Sequence, residues 1–161
     1  MRRVSINERS NWQQTADKNG FSFHTIDGQK YWDESAYYAF TRSQIEQDIK
    51  APTVELHEMA MSLINEVAGS QQLMERLGIP DAQMDFVSHS WKIADPHLYG
   101  RMDFSYDGKG PAKLFEFNYD TPTSLYESAT FQGLWLEEQQ ANGLLPKNAG
   151  QYNSIDRKSV V

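Results

Sequence analysis

Two short segments carry the residue types that phosphate and metal chemistry needs. Arg101 and Asp103 lie two apart, and further on Glu116 and Asn118 do the same. In a strand, alternate side chains share a face. If both segments are strands of one hairpin, Arg101, Asp103 and Ser105 share one face, and so do Leu114, Glu116 and Asn118. The turn between them, Asp107-Gly108-Lys109-Gly110-Pro111, decides which faces coincide. An even loop from Gly108 to Pro111 pairs Asp107 with Ala112, Asp103 with Glu116 and Arg101 with Asn118. It also gathers Met102, Phe104 and Tyr106 against Phe115 and Phe117 as a core face. An odd loop mixes polar and aromatic groups on both faces. The hydrophobic pattern selects the even register, because a one-residue slip turns a whole strand over.

Two carboxylates, Asp103 and Glu116, then oppose each other, and like charges directly across a sheet destabilise it. A bound cation would relieve this. Two carboxylates and the Asn118 amide oxygen are hard oxygen donors of the kind Mg²⁺ prefers, with positions left for water and phosphate. Arg101 beside them matches phosphate geometry and could offset charge on a transferring phosphoryl group. Beyond Asn118 comes a loop expected to open a helix at Thr121-Pro122, whose N–H groups and the Thr121, Thr123 and Ser124 hydroxyls suit an anionic substrate group. A plainer reading stays open on pattern alone: a solvated hairpin face with a surface ion pair, followed by an ordinary helix cap.

The elements that must position these residues are read from periodicity. Residues 1–32 look irregular with short extended pieces, Gly20 to His24 alternates like a strand, and Asp27-Gly28 signals a turn. Helical signals begin near Asp33, through Tyr37, Tyr38 and Phe40. Thr41 with Gln44 suggests a capping box, and Pro52 predicts a break or kink. Val54, Leu56, Met59, Leu63, Ile64 and Val67 mark an apolar helical face expected to be core. Ser70 and Gly78 bracket a short helix, and Pro80-Asp81 opens another toward Trp91. The last helix, opened at Thr121-Pro122, runs through Leu125, Ala129, Trp135 and Leu136 to Gly143, with Glu137 and Glu138 expected on its solvated face. The fold class is α+β: N-terminal helices plus a mixed or antiparallel sheet.

Composition bounds the function. A chain of 161 residues with 12% aromatics has enough apolar surface to fold. A net charge of -7 argues against a nucleic-acid partner, since such binders neutralise phosphates with Lys and Arg. The absence of cysteine removes disulfides, thiolate zinc sites and thiol nucleophiles. No apolar run approaches the roughly 20 residues of a membrane helix, and the start does not read as a signal peptide, so a cytoplasmic location is expected. His57-Glu58 is not a zinc-protease motif, because Met61 stands where the second His belongs. The four histidines are scattered and are not expected to bind metal. Asp107 to Gly110 lacks the spacing of a phosphate loop.

Arg101-Met102-Asp103-Phe104, Leu114-Phe115-Glu116-Phe117-Asn118 and Asp120-Thr121-Pro122-Thr123-Ser124-Leu125-Tyr126-Glu127 are joined by Phe21-Ser22-Phe23-His24-Thr25, Tyr31-Trp32 and Ala36-Tyr37-Tyr38. On these pieces the sequence resembles the glutathionylspermidine synthetase family, in particular its stand-alone acid–amine ligase relatives. The resemblance covers about residues 1–153 and leaves 154–161 as an unmatched tail. It implies the N-terminal part of an ATP-grasp-type synthetase domain. Such enzymes use ATP and Mg²⁺ to activate a carboxylate as an acyl phosphate, which an amine then attacks. The substrates it implies are a small peptide-like carboxylate and an amine.

The resemblance also implies roles. Arg101 would steady the transferring phosphate, Arg101, Met102 and Asp103 would contact ATP, and Asp103, Glu116 and Asn118 would hold Mg²⁺. Thr121 and Thr123 fall where the family places small polar residues for its peptide substrate. Family members are longer, and their later portion supplies most nucleotide contacts. The chain by itself is therefore expected to be inactive without the remainder of the synthetase domain. The Cys-dependent amidase activity of the founding enzyme is excluded by the lack of cysteine. Two other readings compete: a truncated, non-catalytic binding remnant, and a small Mg²⁺-dependent hydrolase using the same carboxylates.

Overall fold

The computed structural model describes residues 1–153. The 154–161 tail lies outside the described residues. The architecture is α+β. In chain order the elements are β1 (Arg2–Ser5), α1 (Trp12–Lys18), β2 (Thr25–Ile26), β3 (Gln29–Lys30), β4 (Ala36–Ala39), a π-helical segment Gln44–Lys50 leading into α2 (Ala51–Ala68), α3 (Gln71–Arg76), α4 (Asp81–Lys92), β5 (Arg101–Ser105), β6 (Lys113–Asn118), a second π-helical segment Tyr126–Phe131, and α5 (Gln132–Ala141). The strands pair antiparallel as β1 with β4, β2 with β3 and β5 with β6. The described chain divides into two compact units. Residues 1–41 and 121–153 form one, and Arg42–Asp120 the other.

In the first unit, the expected helical start after Asp33 is instead β4. Tyr37 and Tyr38 pair with Val4 and Arg3 of β1. Aromatic residues fit a pleated surface well, and here cross-strand pairing overrides the weak helical period. Asp27 and Gly28 do form the turn between β2 and β3, both with positive φ. That geometry suits the right-handed twist of a two-residue hairpin. Gly20 to His24 is not a strand, and Trp12–Lys18, read as irregular, is helical.

The first unit's core joins Trp12, Ala16, Phe21 and Phe131, with Trp32, Tyr126 and Leu134 packed against it. Against this cluster lies a buried ion pair. Arg9 Nε donates to Glu34 Oε2 at 2.9 Å and its Nη1 meets Glu138 Oε2 at 2.8 Å, while the guanidinium lies over the Phe131 ring. Trp32 Nε1 donates to Glu34 Oε1 at 2.9 Å. Burial opposes the charge on Arg9, but the hydrogen bonds to Glu34 and Glu138 outweigh it and raise its pKa. Glu138 is therefore a partner of Arg9 and not part of a purely solvated face. Removing Glu34 leaves the buried Arg9 guanidinium with Glu138 alone and takes the acceptor from Trp32 Nε1. Glu34→Ala is expected to lower the unfolding free energy by about 3–5 kcal/mol, measured by urea denaturation with tryptophan fluorescence. A loss below about 1 kcal/mol, the value of an exposed pair, would contradict a buried strut.

Candidate functional site

The second unit builds the carboxylate hairpin on a helix that Pro52 does not stop. Pro52 sits in the first turn of α2, where a missing N–H is tolerated. The chain runs into it through the π-helical segment without the expected break. The Asp48 carbonyl, in the π-helical segment, accepts from Ala112 N–H at 2.7 Å. Two further bonds dock the same loop. Tyr106 donates its hydroxyl to Asp48 Oδ2 at 2.5 Å, and Gln44 Nε2 donates to the Gly108 carbonyl at 2.9 Å.

This docking explains where the register departs from expectation. Arg101 pairs with Asn118, Met102 with Phe117 and Asp103 with Glu116, as the hydrophobic pattern predicts. Beyond Asp103 the register slips by one, so Phe104 faces Leu114 and Ser105 faces Lys113. Phe115 is the extra residue, a β-bulge. The predicted Asp107–Ala112 pair does not form, because the Ala112 N–H is committed to Asp48. Gly108 and Gly110 take left-handed conformations that let the longer loop turn. Phe115, expected in the core face, is 80% exposed.

The apolar face expected along α2 is also not core. Val54, Met59, Leu63 and Ile64 are exposed, while Leu56 and Val67 are half-buried. The helix packs through other positions. Ser88 donates to the Ala68 carbonyl at 2.7 Å and Trp91 Nε1 to Asn65 Oδ1 at 2.9 Å, which seats α4. Ser70 caps α3 as predicted, its side chain accepting from Leu73 N–H at 3.3 Å, and Gly78 ends that helix at φ +75.

On the polar face of the hairpin the four predicted residues come together. Arg101 Nε lies 2.7 Å from Asp103 Oδ1 and its Nη2 3.2 Å from Asp103 Oδ2. The same Nη2 is 3.8 Å from Glu116 Oε1. One guanidinium thus bridges two opposed carboxylates and relieves the repulsion that the sequence assigns to a cation alone. The side chains of Arg101, Asp103 and Glu116 are 28%, 41% and 56% exposed, so the pairs are solvent-screened and worth at most about 1 kcal/mol each. An arrangement this open gains little stability from its charges and leaves them accessible to a ligand.

The donor set fits a hard divalent cation. Each carboxylate oxygen accepts more than one interaction, so the bonds from Arg101 do not exhaust Asp103. Among the described residues no group of three or more His, Cys, Asp or Glu is placed to hold a metal. The two carboxylates therefore need the Asn118 amide oxygen, and waters or phosphate oxygens, to complete a shell. Met102 alternates with Arg101 and Asp103, so its side chain lies on the opposite strand face, against Phe117. Thr121 and Thr123 belong to the other unit, in an exposed stretch before the helix. The helix does not open at Thr121-Pro122. It begins at Leu125, after Ser124 adopts a positive φ of 73, and Ser128 N–H then returns to the Ser124 carbonyl.

Sequence reasoning missed three contributors. His57 Nδ1 lies 2.9 Å from the Tyr119 hydroxyl. The Tyr119 ring stacks on Phe117 at 3.9 Å between centroids, and burial raises its pKa. Asp48 anchors the loop. The adjacency of Tyr119 to Asn118 was the available signal for the first pair. Nothing in sequence placed Asp48 or His57 beside the hairpin.

The sequence matches the family described as glutathionylspermidine synthase preATP-grasp over residues 3–160, and the chain belongs to that family. It is 37% identical over 144 residues to a putative acid–amine ligase of Haemophilus influenzae, covering 88% of this chain and 35% of that protein. It is 32% identical over 112 residues to the bifunctional glutathionylspermidine synthetase/amidase of Escherichia coli, covering 68% and 18%. It is 30% identical over 84 residues to the trypanothione synthetase of Crithidia fasciculata, covering 52% and 13%. The chain thus spans about a third of the length of the Haemophilus relative and less of the others. Among the described residues no helix is long and apolar enough to cross a membrane.

The docked loop is testable apart from any activity. Burial first, then the bond to Asp48, push the Tyr106 hydroxyl up to about 12. What this bond adds to stability is full below pH 10, the ordinary phenol value, and is lost as pH rises through about 12. At neutral pH the bond is intact. Tyr106→Phe is expected to speed hydrogen exchange at the Ala112 amide about tenfold. Unchanged exchange there would remove Asp48 as the anchor.

Proposed function

We propose that this chain forms part of an ATP-dependent acid–amine ligase and supplies one wall of its Mg²⁺–phosphate site. The reading rests on the polar face of the β5–β6 hairpin, where Asp103 opposes Glu116, Asn118 follows on the same face, and Arg101 reaches both carboxylates. Asp103, Glu116 and Asn118 would hold Mg²⁺. Arg101 and Asp103 would line the ATP phosphates and Met102 would contact ATP through its backbone, with Arg101 offsetting charge on the transferring group. When bound, Mg²⁺–ATP supplies the phosphoryl group that activates a carboxylate as an acyl phosphate for attack by an amine. The contribution of this chain is positioning and electrostatics.

Thr121 and Thr123 would meet the peptide-like acid, with the remainder of the synthetase domain supplying the other nucleotide contacts. The names of the relatives support small-molecule acid and amine substrates. A cytoplasmic location accords with substrates of that kind. Glutathione and a polyamine are the first pair to try.

A second reading, a non-catalytic binding module, draws support from one observation. Phe86, Phe115, Met59 and Leu63 are large apolar side chains exposed in one unit, the residue type from which interaction surfaces are built.

The metal assignment is checked with Mn²⁺, followed by electron paramagnetic resonance in the presence of ATP. The chain is expected to bind the ion, and Asp103→Asn to weaken binding about tenfold or more. Its thermal midpoint should stay within a few degrees, because the ion pair lost is exposed. Equal Mn²⁺ affinity in both proteins would sink the assignment. The ligase reading is checked by exchanging residues 3–153 into the Escherichia coli synthetase. ATP turnover that depends on both acid and amine supports it, and turnover retained after Asp103→Asn refutes the role of the hairpin.

A further inference from the structure

The hairpin is held at its loop end by Asp48 and Gln44, but Arg101 and the proposed ligand Asn118 sit at the opposite, open end. Two strands that part there would separate Arg101 from Asn118 and tilt Asp103 away from Glu116. The residues just past the pairing occupy this point. Continued by one step, the register that sets Arg101 against Asn118 sets Gly100 against Tyr119. A Cβ on Gly100 would lie 1.9 Å from Tyr119 Cδ1, so the ring rests directly on the glycine backbone. Such an aromatic laid across a strand glycine covers the bare backbone and pins the register. The ring is sandwiched further by its stack on Phe117, and its hydroxyl meets His57 Nδ1 at 2.9 Å on α2. All four residues lie in the same unit.

We infer that Gly100, Tyr119 and His57 form a clamp that closes the open end of the hairpin against α2 and fixes the spacing of Arg101 and Asn118. Tyr119 and His57 are positioning residues. They act from the aromatic face of the hairpin on the polar face behind it, and neither touches the ligand. The consequence for ion binding rests on the Mg²⁺ reading above, whereas the clamp itself does not. Gly100 is required because any side chain there displaces the ring. The His57 ring lies 5.8 Å from that of Tyr119, close enough for its nitrogen to set the direction of the phenol. A hairpin tied at both ends to one helix holds its carboxylates within the sub-ångström tolerance that a ligand shell demands.

The test uses the whole chain, with Tyr119→Phe, His57→Leu, His57→Asn and Gly100→Ala, read by amide hydrogen exchange and Mn²⁺ affinity. Tyr119→Phe keeps the ring and loses the bond to His57. It and His57→Leu are expected to speed exchange several-fold at 101–103 and 116–118, leaving Ser105 and Lys113 unchanged, and to weaken Mn²⁺ binding about three- to tenfold. Gly100→Ala should do the same with the hydroxyl present. His57→Asn retains a hydrogen-bonding group and should recover both values at least in part. Tyr106→Phe, which loosens the loop end, should give the reverse exchange pattern. Unchanged exchange at the open end in Tyr119→Phe and His57→Leu overturns the clamp. Faster exchange with unaltered Mn²⁺ affinity overturns its positioning role. A wild-type chain that binds no Mn²⁺ defeats the cation reading instead, and the exchange pattern alone then decides the clamp.

Discussion

One hydrogen bond to a helix carbonyl organises the unit with the candidate site. The carbonyl is that of Asp48, in the π-helical segment that leads into α2. A buried or half-buried carbonyl must find a partner, because an unpaired one costs roughly as much as a lost hydrogen bond. The partner is the Ala112 N–H, and its capture at 2.7 Å brings the hairpin loop onto the helix. Tyr106 and Gln44 add side-chain bonds at the same place. The loop is then too long for a tight even turn, the register slips, and Phe115 is extruded as a bulge. Bulges re-aim side chains next to functional sites. Here the slip lies one residue beyond the Asp103–Glu116 pair, so the polar face keeps its facing carboxylates.

The pairings of Arg101 with Asn118 and Asp103 with Glu116 were legible because only one register keeps Met102 and Phe117 together on an apolar face. Ser70, Gly78 and the Asp27-Gly28 turn were legible because each has a local, sterically determined signature. Phe115 was not. Its exposure follows from a hydrogen bond between Ala112 and Asp48, residues distant in sequence whose encounter no periodicity encodes. Tyr37 and Tyr38 misread as helix because a strand that pairs with a remote partner carries no signal beyond its own few residues. The stripe from Val54 to Val67 has the right spacing for a core face, yet the unit packs α2 through Asn65, Ala68 and His57. Spacing shows that a face is apolar but not what lies on it.

The charges of the site gain from being inexpensive. Arg101 offsets Asp103 and Glu116 in a screened environment, so the carboxylates face each other without a deep desolvation cost. The contrast is with Arg9 and Glu34, whose side chains are almost wholly buried and bonded on several sides. One pair holds structure in place and the other remains open to exchange partners.

The division into units has a consequence for how the chain acquires its fold. Arg42–Asp120 is continuous and can collapse on itself as it is made. The other unit needs Arg9 to find Glu138 and Tyr31 to find Glu127, across the whole of the intervening segment. Closing a flexible loop of that length costs about 4 kcal/mol of chain entropy plus a constant. A compact unit already formed inside it shortens the effective loop and reduces that cost. During vectorial synthesis, Trp12 and Phe21 emerge first and then wait for Phe131 to complete their core. The segment with Trp12 and Phe21 therefore carries unburied aromatics until Phe131 has been made, a state that favours association and calls for a chaperone.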